Sequence, residues 1–178
     1  MAAAPLVFKD VKAALYAWVA AALPLLKPEQ VVWQFGLGTQ PMKPYVSLNL
    51  IGPVPVGFAE TELADPNVVG EVDTITGVRT ATVSVNCVSD PDPEATHLQM
   101  ATDLQMSLEL PEFYEPLTEA GITVLNVMQA QDVSKALETK QVRRAQFDVT
   151  VQLSSSLEAK GLGQISTVTI QNPLEPTL

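Results

Sequence analysis

The chain has one cysteine, Cys87, and one histidine, His97, in 178 residues. A single thiol forms no internal disulfide, which fits synthesis in a reducing cytoplasm and speaks against export by the Sec route. One thiol and one imidazole leave a zinc site to be built mostly of carboxylates, an unusual donor set for that metal. Cations are scarce as well: 10 Lys plus Arg stand against 20 Asp plus Glu, a formal net charge of −10. That sign lacks the basic footprint phosphate backbones require, so sequence-independent nucleic-acid binding is disfavoured, no sequence-specific nucleic acid is expected, and a well-solvated exterior accounts for the acidity. Long hydrophobic runs are missing too. The strongest one, Ala13 to Leu26, is broken by Pro24 and falls short of the ~20 apolar residues of a spanning helix. Asp10 spoils the basic flank that a signal peptide would need. The run reads as a core helix, and no membrane partner is expected.

Catalytic spacings are equally thin. Cys87 and His97 are the sole nucleophile and base pair to test, but Cys87 continues an apolar strand register with Ala81, Val83 and Val85, where a thiol packs as a small hydrophobe. His97 is expected on or near the surface in the first turns of a helix, beside Leu98. Gly36 and Gly38 lack the third glycine of a dinucleotide loop, with Pro41 where a helix should begin. Asp90, Asp92 and Glu94 lack the glycine and closing glutamate of a calcium loop and read better as helix capping. Ser154 to Ser156 and Lys160 do not have Ser-x-x-Lys spacing. The expectation is therefore a non-enzyme with no catalytic residue, no cofactor and no metal.

What the chain does have is patterning. Hydrophobic residues make up 47%, enough for one domain over residues 1–178 that buries roughly 70% of its unfolded surface. Val11, Ala14, Leu15, Trp18, Val19 and Ala22 recur at helical spacing, with Asp10 as the expected cap and Pro24 as the stop. Strands are expected at Val31 to Phe35, at Tyr45 to Gly52 and at Arg79 to Ser89. In the last of these, Thr80, Thr82, Ser84 and Asn86 alternate with the apolar set and should face solvent or a neighbour. Asp92 and Pro93 mark the start of a helix running to about Leu108, and a second short helix through Phe113 and Leu117 should stop at Gly121. Ile122 to Met128 and Val142 to Ser154 should pair as strands, with another at Ile165 to Gln171 and an extended tail over 172–178. This order predicts an α+β fold: a largely antiparallel sheet with an N-terminal helix and one or two further helices packed on it.

Residues 53–77 mix prolines, glycines and acids with short apolar patches, and are expected to form an extended arm. Apolar side chains in such a segment are costly in water and are often covered by a partner. Val54, Val56, Phe58, Val68 and Val69 are therefore candidate contact residues. Arg79, Arg143 and Arg144, the notable cations of an acidic chain, are candidates for pairing across a subunit boundary.

Three stretches carry a family resemblance: the amphipathic first helix, Gln34 to Leu50 (QFGLGTQPMKPYVSLNL), and the strand-to-helix passage Arg79 to Leu108. In the second, Pro41 and Pro44 lead into Tyr45, Val46, Ser47 and Leu48. In the third, Val83 to Asn86 run on toward a helix. Together they resemble the neck or tail terminator proteins of tailed bacteriophages. The resemblance implies a virion subunit, made in the host cytoplasm, that forms a hexameric ring on the tail tube, ends tube polymerisation and offers a joining surface to the head-side neck or connector protein. The implied partners are further copies of the chain, the tail tube protein, the neck protein and, in a contractile phage, the terminal sheath ring. The alternative is another virion ring protein, a head-completion or tail-tube subunit, ahead of a small hydrolase or binding module.

Overall fold

A computed structural model describes residues 7–34, 41–57, 60–62, 73–92, 94–137 and 140–159. Helix α1 spans Phe8–Ala22, and a 3-10 turn at Pro28–Gln30 leads into β1 (Val31–Trp33). Then come β2 (Tyr45–Pro55), β3 (Glu60–Glu62), β4 (Asp73–Ser89), α2 (Thr96–Ser107) and α3 (Pro111–Glu119). The chain closes with β5 (Ile122–Val127), β6 (Gln131–Asp132), β7 (Lys135–Leu137) and β8 (Lys140–Ala159). The main sheet runs β1-β2-β4-β8-β5, antiparallel throughout except for the parallel β1-β2 pair. The fold is α+β, as the element order predicts.

The alternation seen in the sequence becomes rows across the sheet. Val46, Cys87 and Ala145 form one, Leu48, Val85 and Phe147 the next, and Leu50, Val83 and Val149 a third. Every member except half-buried Leu50 is buried. Helix α2 lies on β4 and β8, while α1 packs against α3, α2 and β1. All the helix stripes meet this one sheet face, and each fully buried Leu, Val or Phe contributes about 1.5–3 kcal/mol through removal from water. Gly121, at φ +76°, closes α3 as expected: a left-handed residue suits glycine, and its N–H bonds to Thr118.

Several local expectations need correction. The N-cap of α1 is Val7; Asp10 sits exposed within the first turn, because the helix begins at Phe8. Helix α2 starts at Thr96 after left-handed Ala95, so Asp92 lies outside it, yet its carboxylate still accepts the Thr96 backbone N–H at 3.0 Å. That bond is the main reason its carboxyl sits below the usual 3.8. The Ser84 and Asn86 side of β4 is not open to solvent: both are buried. Arg144 and Gln146 on β8 close over them, with Arg144 Nε donating to Asn86 Oδ1 at 2.9 Å and Gln146 Nε2 to Ser84 Oγ at 3.3 Å. Cross-strand polar pairing covers what a sequence period assigns to water. The expected strand at Ile165 to Gln171, the tail over 172–178, and Phe35 lie outside the described residues.

Candidate functional site

The β4-β8 ladder carries the core along most of its length and then extends past it. It runs in unbroken register from Ser89–Arg143 to Asp73–Ala159. Ile122, the first residue of β5, pairs with Leu153, and beyond that point β4 and β8 continue together from Val78–Ser154 to Asp73–Ala159. Six residues at ~3.4 Å each give about 20 Å of ladder past β5. Along this reach β3 pairs with Thr74 to Thr76. The strand β2 runs on to Pro55 beside Arg79, and Val56 N–H bonds the Val78 carbonyl. Part of the 53–77 segment is thus strand, an extension of β2 plus β3 and the start of β4.

Of the candidate contact residues, Val56 lies at the start of this reach, and Val54 and Arg79 just before it, level with β5. Val54 is 64% exposed and Val56 52%, next to exposed Ile51. A shift of register between Ile51 and Val54 leaves Val54 opposite Thr80, on the same sheet face as Ile51 opposite Thr82. Arg79 is exposed at the base of the same reach. Arg143 and Arg144 lie at the other end of the ladder, ten residue steps away, or about 33 Å. Arg143 is exposed, while Arg144 binds Asn86 and Gln146 within the chain. Phe58, Val68 and Val69 lie outside the described residues.

The two residues that could mimic an enzyme separate chemically. Cys87 is fully buried, and burial pushes its thiol up to about 12, which keeps it protonated and inert. His97, expected near the surface, is instead 3% exposed. Helix α2 buries His97, Met100, Ala101 and Leu104, a 3.6-residue stripe in which Leu98 falls to the half-buried flank. Neither ring nitrogen has a hydrogen-bond partner, so no bond links it to Cys87. Its charged neighbour is Asp132, with Nε2 to Oδ2 at 3.6 Å, beyond hydrogen-bond distance. The Asp132 carboxyl is held below its ordinary value chiefly by the Ser134 hydroxyl and then by the Ser134 backbone N–H. Among the described residues no group of three or more His, Cys, Asp or Glu could hold a metal ion, and no helix is long and apolar enough to cross a membrane.

Two surfaces escaped the sequence reading. A groove of about 520 Å³ runs between the end of α1 and the start of α2, lined by Leu23, Leu25, Leu26, Pro44 and Met100 among others, with Glu94 and Asp103 on its walls. Leu25 is 96% exposed there. At the opposite end of α1, Phe8, Lys9, Lys12, Tyr16 and Trp33 line an open hollow of about 480 Å³. The 14-residue apolar run had marked α1 as core, and nothing in its periodicity set its two ends apart.

Fold and surfaces together define an α+β protein whose distinctive features are an extended ladder and exposed apolar patches, the anatomy of a subunit that meets other chains. The chain belongs to the phage neck terminator protein family, whose model matches residues 9–175. It is accordingly a structural protein of the phage virion neck. None of the curated proteins matches it. Among solved structures, one chain of the virion of a native gene transfer agent (GTA) particle is similar over 82% of this chain and 98% of its own, at 15% identity and a TM-score of 0.32. The assignment rests on the family match.

Proposed function

We propose that the protein assembles as a closed homo-oligomeric ring, a hexamer, that caps the tail tube, ends its polymerisation and presents the joining surface to the head-side neck. The observation that supports this reading most, given the family, is the ladder beyond β5, with exposed Val56 at its start and exposed Val54 just before it. A monomer gains nothing from two exposed valines on a paired strand, whereas a partner that covers them gains their burial. The ladder acts as an arm that reaches the tube or a neighbouring subunit, with Arg79 at its base and Arg143 at the far end as pairing cations for acidic surfaces. Ring and arm work by contact alone, without catalysis, metal or cofactor.

The test is assembly. Val54→Ser with Val56→Ser should leave a folded protein by circular dichroism, because both residues are already more than half exposed. Tails built with it should fail to stop at normal length or to join heads. Normal tail length and normal head joining by this variant would overturn the arm reading.

A further inference from the structure

We infer that the ring closes head to tail through the two ends of α1: the Phe8, Lys9 and Lys12 turn of one copy seats in the groove that Leu25, Leu26 and Met100 form in the next. This rests on the ring reading and names the contact that would build it.

The two patches are complementary in charge, and each carries apolar side chains. The groove has an apolar floor, Met100 at 6% exposure and half-buried Leu26, below the fully presented Leu25. Its charged lining is acidic, Glu94 and Asp103, with no lysine or arginine among the lining residues. The other patch pairs an apolar anchor, Phe8 at 42% exposure, with two of the chain's ten cations. Lys12 is held over the Trp33 ring at 5.1 Å from its centroid, so its ammonium is already positioned. Within the described residues neither Lys9 nor Lys12 makes an ion pair, whereas Lys43 pairs with Asp90.

The placement of Lys9 is unfavourable for an isolated subunit. It lies in the first turn of α1, where the helix dipole is positive and a cation is disfavoured. An acidic surface from outside the chain removes that conflict. Glu94 stands just before α2 and Asp103 within it, so the groove offers two carboxylates to two ammonium groups around an apolar centre. This is the layout of an interface with an apolar core and a charged rim.

Geometry then supplies the assembly. The two patches stand at opposite ends of the 15-residue α1, about 21 Å apart at 1.5 Å per residue. Two different patches on one subunit cannot satisfy each other in a two-fold dimer with a single contact. They form a heterologous contact that repeats from copy to copy, and a rotation between copies that divides a full turn closes it into a ring. One rigid helix thus carries both halves of the junction.

Charge reversal tests it. Lys9→Glu with Lys12→Glu, and separately Glu94→Lys with Asp103→Lys, should each raise the concentration at which rings dissociate by about tenfold or more, read by native mass spectrometry. Mixing the two variants should restore rings with strictly alternating copies, since each reversed patch then meets its opposite. Leu25→Lys, at a side chain already 96% exposed, should weaken rings with no change in circular dichroism, which separates lost contact from lost fold. Rings that survive all three variants, or weakened rings that mixing fails to restore, would overturn this contact while leaving the ring reading standing. A wild-type protein that stays monomeric both in solution and on assembled tails would overturn both.

Discussion

Replacing Ser107 by alanine probes the joint that sets the direction of α1. The Trp18 indole N–H donates to Ser107 Oγ at 2.9 Å, and that hydroxyl donates to the Leu104 carbonyl at 2.7 Å. Both residues are 4% exposed, so water has poor access to either group once the hydroxyl is gone. A buried donor left unpaired costs about 1–3 kcal/mol. Alanine returns up to about 0.5 kcal/mol through its better helix propensity. The net loss is about 1–2 kcal/mol, or about 3–6 °C in Tm for a domain of this size. Trp18→Phe in the same background completes a cycle: with both partners removed no orphan remains, and the coupling should be about 0.5–1.5 kcal/mol. Urea titrations followed by circular dichroism at fixed protein concentration measure all four states. Ser107→Ala within about 0.3 kcal/mol of wild type, or two substitutions that simply add, would refute the account. Because this bond ties α1 to α2, Ser107→Ala should also weaken ring assembly, since the groove is built from both helices.

Other expectations follow from single side chains. Native Cys87 should resist iodoacetamide at pH 8 and react once the chain is unfolded in urea. Its folded-state pKa of about 12 lies above the ordinary 9.0, so the stability it contributes is whole below pH 9 and is lost as pH rises from there toward 12; Cys87→Ala should flatten that alkaline decline. His97→Leu should match or exceed wild-type stability, whereas His97→Gln should stay below His97→Leu by about 1 kcal/mol or more, because glutamine again buries polar atoms where the imidazole finds no bond. Asp92→Ala should cost stability at neutral pH that disappears in acid. The Asp92 carboxyl is lowered from 3.8, so its contribution is complete above that value and fades as pH falls through the folded pKa. An Asp92→Ala deficit that persisted at pH 2 would contradict this.

The main frame of the protein was legible in the sequence wherever a local period was enough. Val83, Val85 and Cys87 alternate with polar neighbours, and a strand of period two has no other way to bury them. The α1 stripe and the Gly121 stop follow from helix geometry and from glycine's access to positive φ. The same reasoning placed Val54 and Val56 in water, on apolar residues without a patterned stretch around them. Tertiary structure decided what depends on neighbours distant in the chain. His97 is buried because α2 starts at Thr96 and turns that residue onto the sheet. Ser84 and Asn86 are covered because β8 brings Gln146 and Arg144 beside them, 62 and 58 residues later. Leu25 stands exposed above Met100, and a groove exists there, only because the end of α1 and the start of α2 meet. A period reports which face of an element is apolar; which element covers that face, and where cover stops, is set by packing alone.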